Sequence, residues 1–308
     1  MGLLADVRQA AAATAAEARL VRVDRAVIAA YAATLPLEHA GTPQLDAETH
    51  YVGEREATLA YVVTLDAINF GSGYFPHLHK RPGMSGYFTM ASSLRDVWME
   101  RGPLSAEELQ RLTQADCARI FGQTNHDDAV AQELMALFAQ ALNAVGALLA
   151  KRYDGSFDGL VAAADGSAER LAQLLTAMPF YQDHGFYKRA QLTAADLNTA
   201  GVAAFDDLDQ LTMFADNLVP HVLRLDGVLV YDPELVERIE RQEVIAAGSR
   251  EEHEIRAGAL HAVELLAQAA RDQSRPVTSM QLDYVLWNRG QQPAYKARPR
   301  HRTRTVFY

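Results

Sequence analysis

The sequence predicts an all-α chain, with at most a few short strands, on three observations. Apolar residues recur at helical spacing through most of the 308 residues, the mark of helices that bury one face. Helix-start signals precede several of these runs: Ser105 with Glu108, Ser249 with Glu252, and Asp232 followed by Pro233. Each supplies a capping oxygen or a first-turn proline where the free N–H groups of a helix need one. No repeat of fixed period appears. The length suits a single helical domain, with an arrangement in two lobes as the variant.

Residues 3–34 are Ala-rich, with Leu4, Val7, Val23, Val27 and Tyr31 at helical spacing, and predict one or two helices. Pro36 to Pro43 is a connection. Tyr61 to Phe70 is rich in β-branched residues and fits a strand or a buried helix. Gly71 to Gly86 holds four glycines and two prolines, so it must be a loop, of a mobile or ligand-covering kind. A helix is expected from Ser105 to about Phe121. A longer one follows over Val130 to Arg152, its apolar face marked by Leu134, Leu137, Phe138, Leu142, Val145 and Leu149. Gly155 to Asp158 breaks it, Ser167 to Met178 is the next helix, and Phe186 to Thr199 another. Asp226-Gly227 lies between apolar pairs and reads as a hairpin or as a helix-ending turn. Asp232 and Ser249 open two more helices, the second reaching about Arg271, and Ser279 to Asn288 is a short last one. His301 to Tyr308 could form a short strand.

The net charge is −10 and unevenly spread. From Arg289 onward there are six basic residues and no acidic one, which leaves −16 on the rest of the chain. Such a body is a poor match to a nucleic-acid backbone, which needs a broad basic surface. A compact basic patch suits a small anion, and a flexible basic tail is the ordinary reading of the run. Cys117 stands alone, so no intrachain disulfide is available; it reads as a small apolar residue in a reducing compartment. No long uncharged apolar window and no signal-peptide core are seen, and position 6 is Asp6 rather than the Ser or Thr of a myristoylation signal. A soluble, cytoplasmic protein is expected.

For chemistry, Asp216 is the focal residue. It is the one carboxylate in the apolar run Leu211 to Leu223. An ionised Asp withdrawn from water needs a partner, so Asp216 either caps the turn before Pro220 or has a chemical task. Lys188-Arg189 follows Phe186 and Tyr187 and fits a solvated basic pair, or an anion site beside stacking surfaces. Glu252 and Arg256, four apart on a helix, look like a surface salt bridge. Asp283, Tyr284 and Trp287 put a carboxylate and aromatic rings on neighbouring helix positions; that suits core packing or a nucleobase. His77 and His79 have no metal-binding context, and neither a nucleophile elbow nor a Walker loop surrounds Ser72. No metal and no cofactor are expected.

From about residue 51 onward the chain resembles the queuosine salvage family, the queuosine 5′-phosphate N-glycosylases that release queuine. The likeness is carried by Ile68-Asn69-Phe70, Ser85-Gly86-Tyr87, FYKRAQ (Phe186 to Gln191), LTMFAD (Leu211 to Asp216) with Val219-Pro220, Glu254-Ile255-Arg256, Leu282-Asp283-Tyr284 with Leu286-Trp287, and the closing His301-Arg302 and Phe307-Tyr308. Residues 1–50 fall outside it. The resemblance implies a helical fold similar to helical DNA glycosylases, acting on a small nucleotide rather than a polymer, through hydrolysis of the bond between ribose and a 7-deazaguanine. It makes Asp216 and Lys188 the catalytic pair. It also makes Phe70, Tyr284 and Trp287 stacking surfaces, Asn69 and Asp283 polar contacts to the substrate, and Arg302 and His301 contacts to its phosphate. Gly71-Ser72-Gly73, Asn217-Leu218 and Asn288 depart from the family pattern. The alternatives are an N-glycosylase for another deazaguanine nucleotide or nucleoside, or a non-catalytic binder of a modified base or RNA.

Overall fold

The computed structural model describes residues 2–40 and 45–308, and the expectation of an all-α chain holds. The first part runs α1 (Leu3–Glu17), β1 (Val21–Val23), α2 (Ile28–Thr34), α3 (Arg55–Ala67), α4 (Gly86–Arg101), α5 (Ala106–Arg111), α6 (Gln114–Ile120) and α7 (Ala129–Arg152). There follow α8 (Phe157–Ala162), α9 (Ala168–Leu175), α10 (Lys188–Thr199), α11 (Leu218–Leu225), β2 (Leu229–Tyr231), α12 (Pro233–Glu240), α13 (Arg250–Asp272), α14 (Ser279–Gly290) and α15 (Pro293–Lys296). Part of the expected connection Pro36 to Pro43 lies outside the described residues.

Two long helices each organise a buried apolar cluster. Helix α7 packs against α3, α5, α6 and α8, with Leu134, Phe138 and Leu142 fully buried. It is long and apolar enough to cross a membrane by length and composition alone; here its apolar face forms this protein core. Helix α13 packs against α1, α2, α11, α14 and β1 around Leu260, Val263 and Val219. The segment 211–216 runs along the seam: Leu211 and Phe214 belong to the first cluster, Met213 and Ala215 to the second. Phe186 packs in the second and Ala190 in the first, so the start of α10 lies on the same seam.

Several local readings change. Residues 61–67 are helical, and every residue from Thr58 to Ala67 is buried; a helix covered all round shows no amphipathic period, hence the strand-like composition. The helix expected from Ser105 divides at Thr113, which forms its own capping box with Asp116. Helix α10 begins at Lys188, two residues late, because Tyr187 takes a left-handed conformation (φ 49). Asp226-Gly227 closes α11, with Gly227 at φ +78. The strand after it pairs with β1, Val21 opposite Tyr231, and makes no hairpin with its neighbour. The C-terminal residues form only an isolated bridge between Arg302 and Val244, but the basic run is no loose tail: Thr303 and Tyr308 are buried, and the Tyr308 carbonyl accepts the Gly71 N–H at 2.9 Å.

Candidate active site

A cavity of about 840 Å³ opens at the seam. Its wall is built from the turn after α3 (Asn69, Phe70), one face of α10 (Lys188, Leu192, Asp196), the start of α11 (Asp216, Asn217), α14 (Asp283, Tyr284, Trp287) and the C-terminal run (Arg300, Arg302). A separate surface depression of about 280 Å³ between Arg55, Asp158 and Phe205 lies away from these groups.

Asp216 realises the capping alternative. Its Oδ1 accepts the N–H groups of Leu218 (2.8 Å) and Val219 (3.2 Å) at the start of α11, satisfying donors that a helix N-terminus leaves free. Oδ2 takes no hydrogen bond from the described residues, so one oxygen anchors the carboxylate and the other is available to a ligand on this wall. Lys188 is 6 % exposed; its Nζ donates to the carbonyl (3.2 Å) and to Oδ1 (3.4 Å) of Asn69. Burial pushes the ammonium below the usual lysine value, while the field of Asp216 opposes that shift. The two side chains face one cavity without forming a direct ion pair.

The frame behind them is a buried ion pair. Arg256 donates from Nη1 to Oδ1 (2.9 Å) and from Nη2 to Oδ2 (2.6 Å) of Asp183, and from Nε to the carbonyl of Ala215 (2.9 Å). Asp183 Oδ2 in turn accepts the backbone N–H of Lys188 at 3.2 Å. The guanidinium lies 4.0 Å from the Phe186 ring centre and 4.5 Å from that of Tyr308. The ion pair expected of Glu252 and Arg256 is present at 3.5 Å, but its surface setting is overturned: both are buried, and Arg256 binds Asp183 more closely. The Ser249 box is half-formed for a related reason, since Glu252 accepts the Gly248 N–H instead of that of Ser249. The solvated basic pair is overturned too. Arg189 is 2 % exposed, packs over Phe70 and Tyr181, and donates to the carbonyls of Ala67, Phe180 and Val306.

Asp283 is 4 % exposed and accepts the Phe214 N–H on Oδ1 at 3.0 Å. Burial, helped by the Asp216 charge, raises its carboxyl well above the ordinary range. Tyr284 and Trp287 flank it on the wall, against Phe214 and Phe88 respectively. Phe70 reaches the wall, but its ring is already engaged by Arg189, Phe138 and Phe180, so it supports the floor rather than offering a stacking face.

His301 is a correction. It is 2 % exposed, lies off the cavity wall, and is driven to about 3 by burial and nearby arginines; a neutral imidazole there has no charge for a phosphate. Arg300 and Lys80, which the motifs did not single out, stand on the wall with Arg302. Burial lowers the Lys80 ammonium and these two arginines lower it further, so three cations crowd one side of the cavity. Also missed were Asp196 on the wall and Asp66 behind it. Helical period alone places Asp196 on the Lys188 face, eight residues on. His77 pairs with Asp128 (2.9 Å) while His79 stacks on His126 at 3.7 Å; among the described residues no three His, Cys, Asp or Glu side chains gather as a metal site.

Comparison with known proteins supplies the context. The family described as queuosine salvage protein matches residues 49–308. A queuosine 5′-phosphate N-glycosylase/hydrolase of Sphaerobacter thermophilus is 35 % identical over 95 % of this chain and 94 % of its own, which extends the likeness into the N-terminal helices. Proteins of the same description from Dictyostelium discoideum and Mus musculus are 32 % and 30 % identical, over 82 % and 83 % of this chain and 79 % and 83 % of their own. With the family matched from residue 49 to the C-terminus, this chain belongs to the queuosine salvage proteins.

Proposed function

We propose that this protein hydrolyses the N-glycosidic bond of queuosine 5′-phosphate, releasing queuine and ribose 5-phosphate, with Asp216 at the anomeric carbon. The observation that carries the assignment is the divided role of the Asp216 carboxylate, one oxygen held by α11 and the other unbonded on the cavity wall. Cleavage builds positive charge on the sugar carbon, and a fixed carboxylate that need not reorganise stabilises it. Water supplies the hydroxyl that remains on ribose and the proton that leaves with the base. Lys188, held by Asn69 at its Nζ, positions the sugar across the gap from Asp216. Tyr284 and Trp287 take the ring faces of the base, Asp283 its donor edge, and Lys80, Arg300 and Arg302 the phosphate.

Some departures from the family pattern hold the C-terminal run, and others border the cavity. Gly71 and Gly73 pack against the C-terminal run and Asn217 donates to the His301 carbonyl at 3.3 Å, while Ser72, Asn217, Leu218 and Asn288 line the cavity. The basic groups concentrate inside the cavity instead of spreading over a face, which fits one phosphate better than an RNA backbone. The test is incubation with queuosine 5′-phosphate without added metal, reading free queuine and ribose 5-phosphate by mass spectrometry. Release by the wild type and its loss in Asp216→Asn are expected. Undiminished release by that variant would remove Asp216 from the reaction.

A further inference from the structure

We propose that Asp196, backed by Asp66, selects nucleotides whose base carries a protonated amine. The inference rests on the reading of this cavity as a nucleotide site and deepens it. Lys188, Leu192, Asp196 and Thr199 form one stripe of α10 on the cavity wall. At the rise of an α-helix, Asp196 sits about 12 Å along the axis from Lys188. With Lys188 at the sugar, Asp196 stands where a substituent on the base would extend.

The second observation is Asp66, on the adjacent helix α3. It is 1 % exposed, and neither carboxyl oxygen receives a hydrogen bond of good geometry, although Thr193, Asn69 and Asp196 surround it. Burial raises the carboxyls of both Asp66 and Asp196, as expected of two acids that share limited solvation. The third is the charge count. Asp66, Asp196, Asp216 and Asp283 all act on Lys188 or on one another at this end of the cavity. Lys188 is the one ammonium among them. Arg189, which feels the Asp66 charge, spends its donors on main-chain carbonyls, and Arg300, grouped with Lys80 and Arg302, stands in the field of Asp216. Burial holds Asp196 toward its neutral form with Lys188 as the cation that opposes it, and a cationic group on the ligand would favour the ionised carboxylate further. The unpartnered OH of Tyr284, also on this wall, adds a polar contact for the same substituent.

The experiment compares two ligands that differ only at carbon 7 of the base. They are 7-aminomethyl-7-deazaguanosine 5′-phosphate, which bears an ammonium there, and 7-deazaguanosine 5′-phosphate, which does not. Both are titrated calorimetrically into the wild type, Asp196→Asn and Asp196→Glu. The wild type is expected to bind the amine about tenfold or more tightly, the scale of one charge-assisted hydrogen bond. Asp196→Asn narrows the ratio to within about twofold, and Asp196→Glu, which keeps the charge, retains it. Equal binding by the wild type overturns the proposal without any variant, as does a preference that survives in folded Asp196→Asn. Binding of neither nucleotide also overturns it. Release of queuine from queuosine 5′-phosphate distinguishes the cases: if release persists, only the Asp196 assignment falls, and if it is absent too, the nucleotide reading falls with it.

Discussion

Arg256 and Asp183 meet fork to fork in the interior, at 2.9 and 2.6 Å, and both residues proposed for the reaction, Lys188 and Asp216, hang from that pair. Asp183 holds the backbone N–H at the head of α10, where Lys188 sits, and Arg256 holds the carbonyl immediately before Asp216. Removing one partner strands the other as a buried charge, which costs about 3–5 kcal/mol. Arg256→Met is expected to lower the denaturation midpoint by that scale and to abolish turnover. Arg256→Lys recovers neither, because an ammonium cannot satisfy two carboxylate oxygens and a carbonyl in one plane. Chemical denaturation of both variants checks this; a fully stable Arg256→Lys would show the fork to be dispensable.

The double duty proposed for Asp216 lets chemistry be separated from capping. Asn is as good an N-cap as Asp, whereas Ala is not, and the difference is typically about 1 kcal/mol. Asp216→Asn should therefore unfold near the wild-type temperature while inactive, and Asp216→Ala should be inactive and less stable by about that amount. Thermal melts of the pair decide it. Equal destabilisation of both variants would mean that the Leu218 and Val219 contacts do not support α11.

How much of this was legible in sequence depended on range. Capping boxes are local, so Ser105 and Asp232 marked true helix starts. Arg189 was misread because its partners, the carbonyls of Ala67 and Val306, come from opposite ends of the chain; nothing adjacent announces them. His301 was misread for a reason the sequence did hold. Residues 301, 303 and 305 are buried while 302, 304 and 306 are partly open, the two-residue alternation of an extended chain. Arg300 and Arg302 share a side that His301 cannot. Asp66 lay hidden in a helix buried all round, where no periodic face marks a polar position as special.

That same burial gives Asp66 a pH signature. Its carboxyl is raised above the ordinary value, chiefly by desolvation and then by Asp196. Folded protein then binds the proton more tightly than unfolded protein. The contribution to stability is full below the ordinary carboxylate range and is lost as pH rises from there through the raised value. Asp66→Asn copies the neutral form, so it should raise the melting temperature at pH 8 and leave it nearly unchanged at pH 4. Melts across that range test the sign. A variant less stable than wild type at pH 8 would show that the charged form is the one the fold holds.

Gly73 links the loop that departs from the family pattern to the basic side of the cavity, where the phosphate is proposed to bind. Its Cα lies so close to the Thr303 carbonyl that an added Cβ would collide with backbone, while Gly71 beside it sits at φ +96 and donates to the Tyr308 carbonyl. The start of the loop is thus a clamp on the C-terminal run, while Phe75, Pro76, Lys80 and residues 83–86 line the cavity, as the ligand-covering alternative expects. Gly73→Ala must push Thr303 away and, with it, Arg302 on the cavity wall. Overpacking of this kind costs about 1–3 kcal/mol. The variant is expected to lose trypsin resistance at Arg300, Arg302 and Arg304 while α7 and α13 stay protected. Its KM for queuosine 5′-phosphate should rise more than its kcat falls, because the damage is to the proposed phosphate contacts and not to Asp216. A tail that stays protected, with unchanged KM, would mean that the loop gives way and the clamp does not position Arg302.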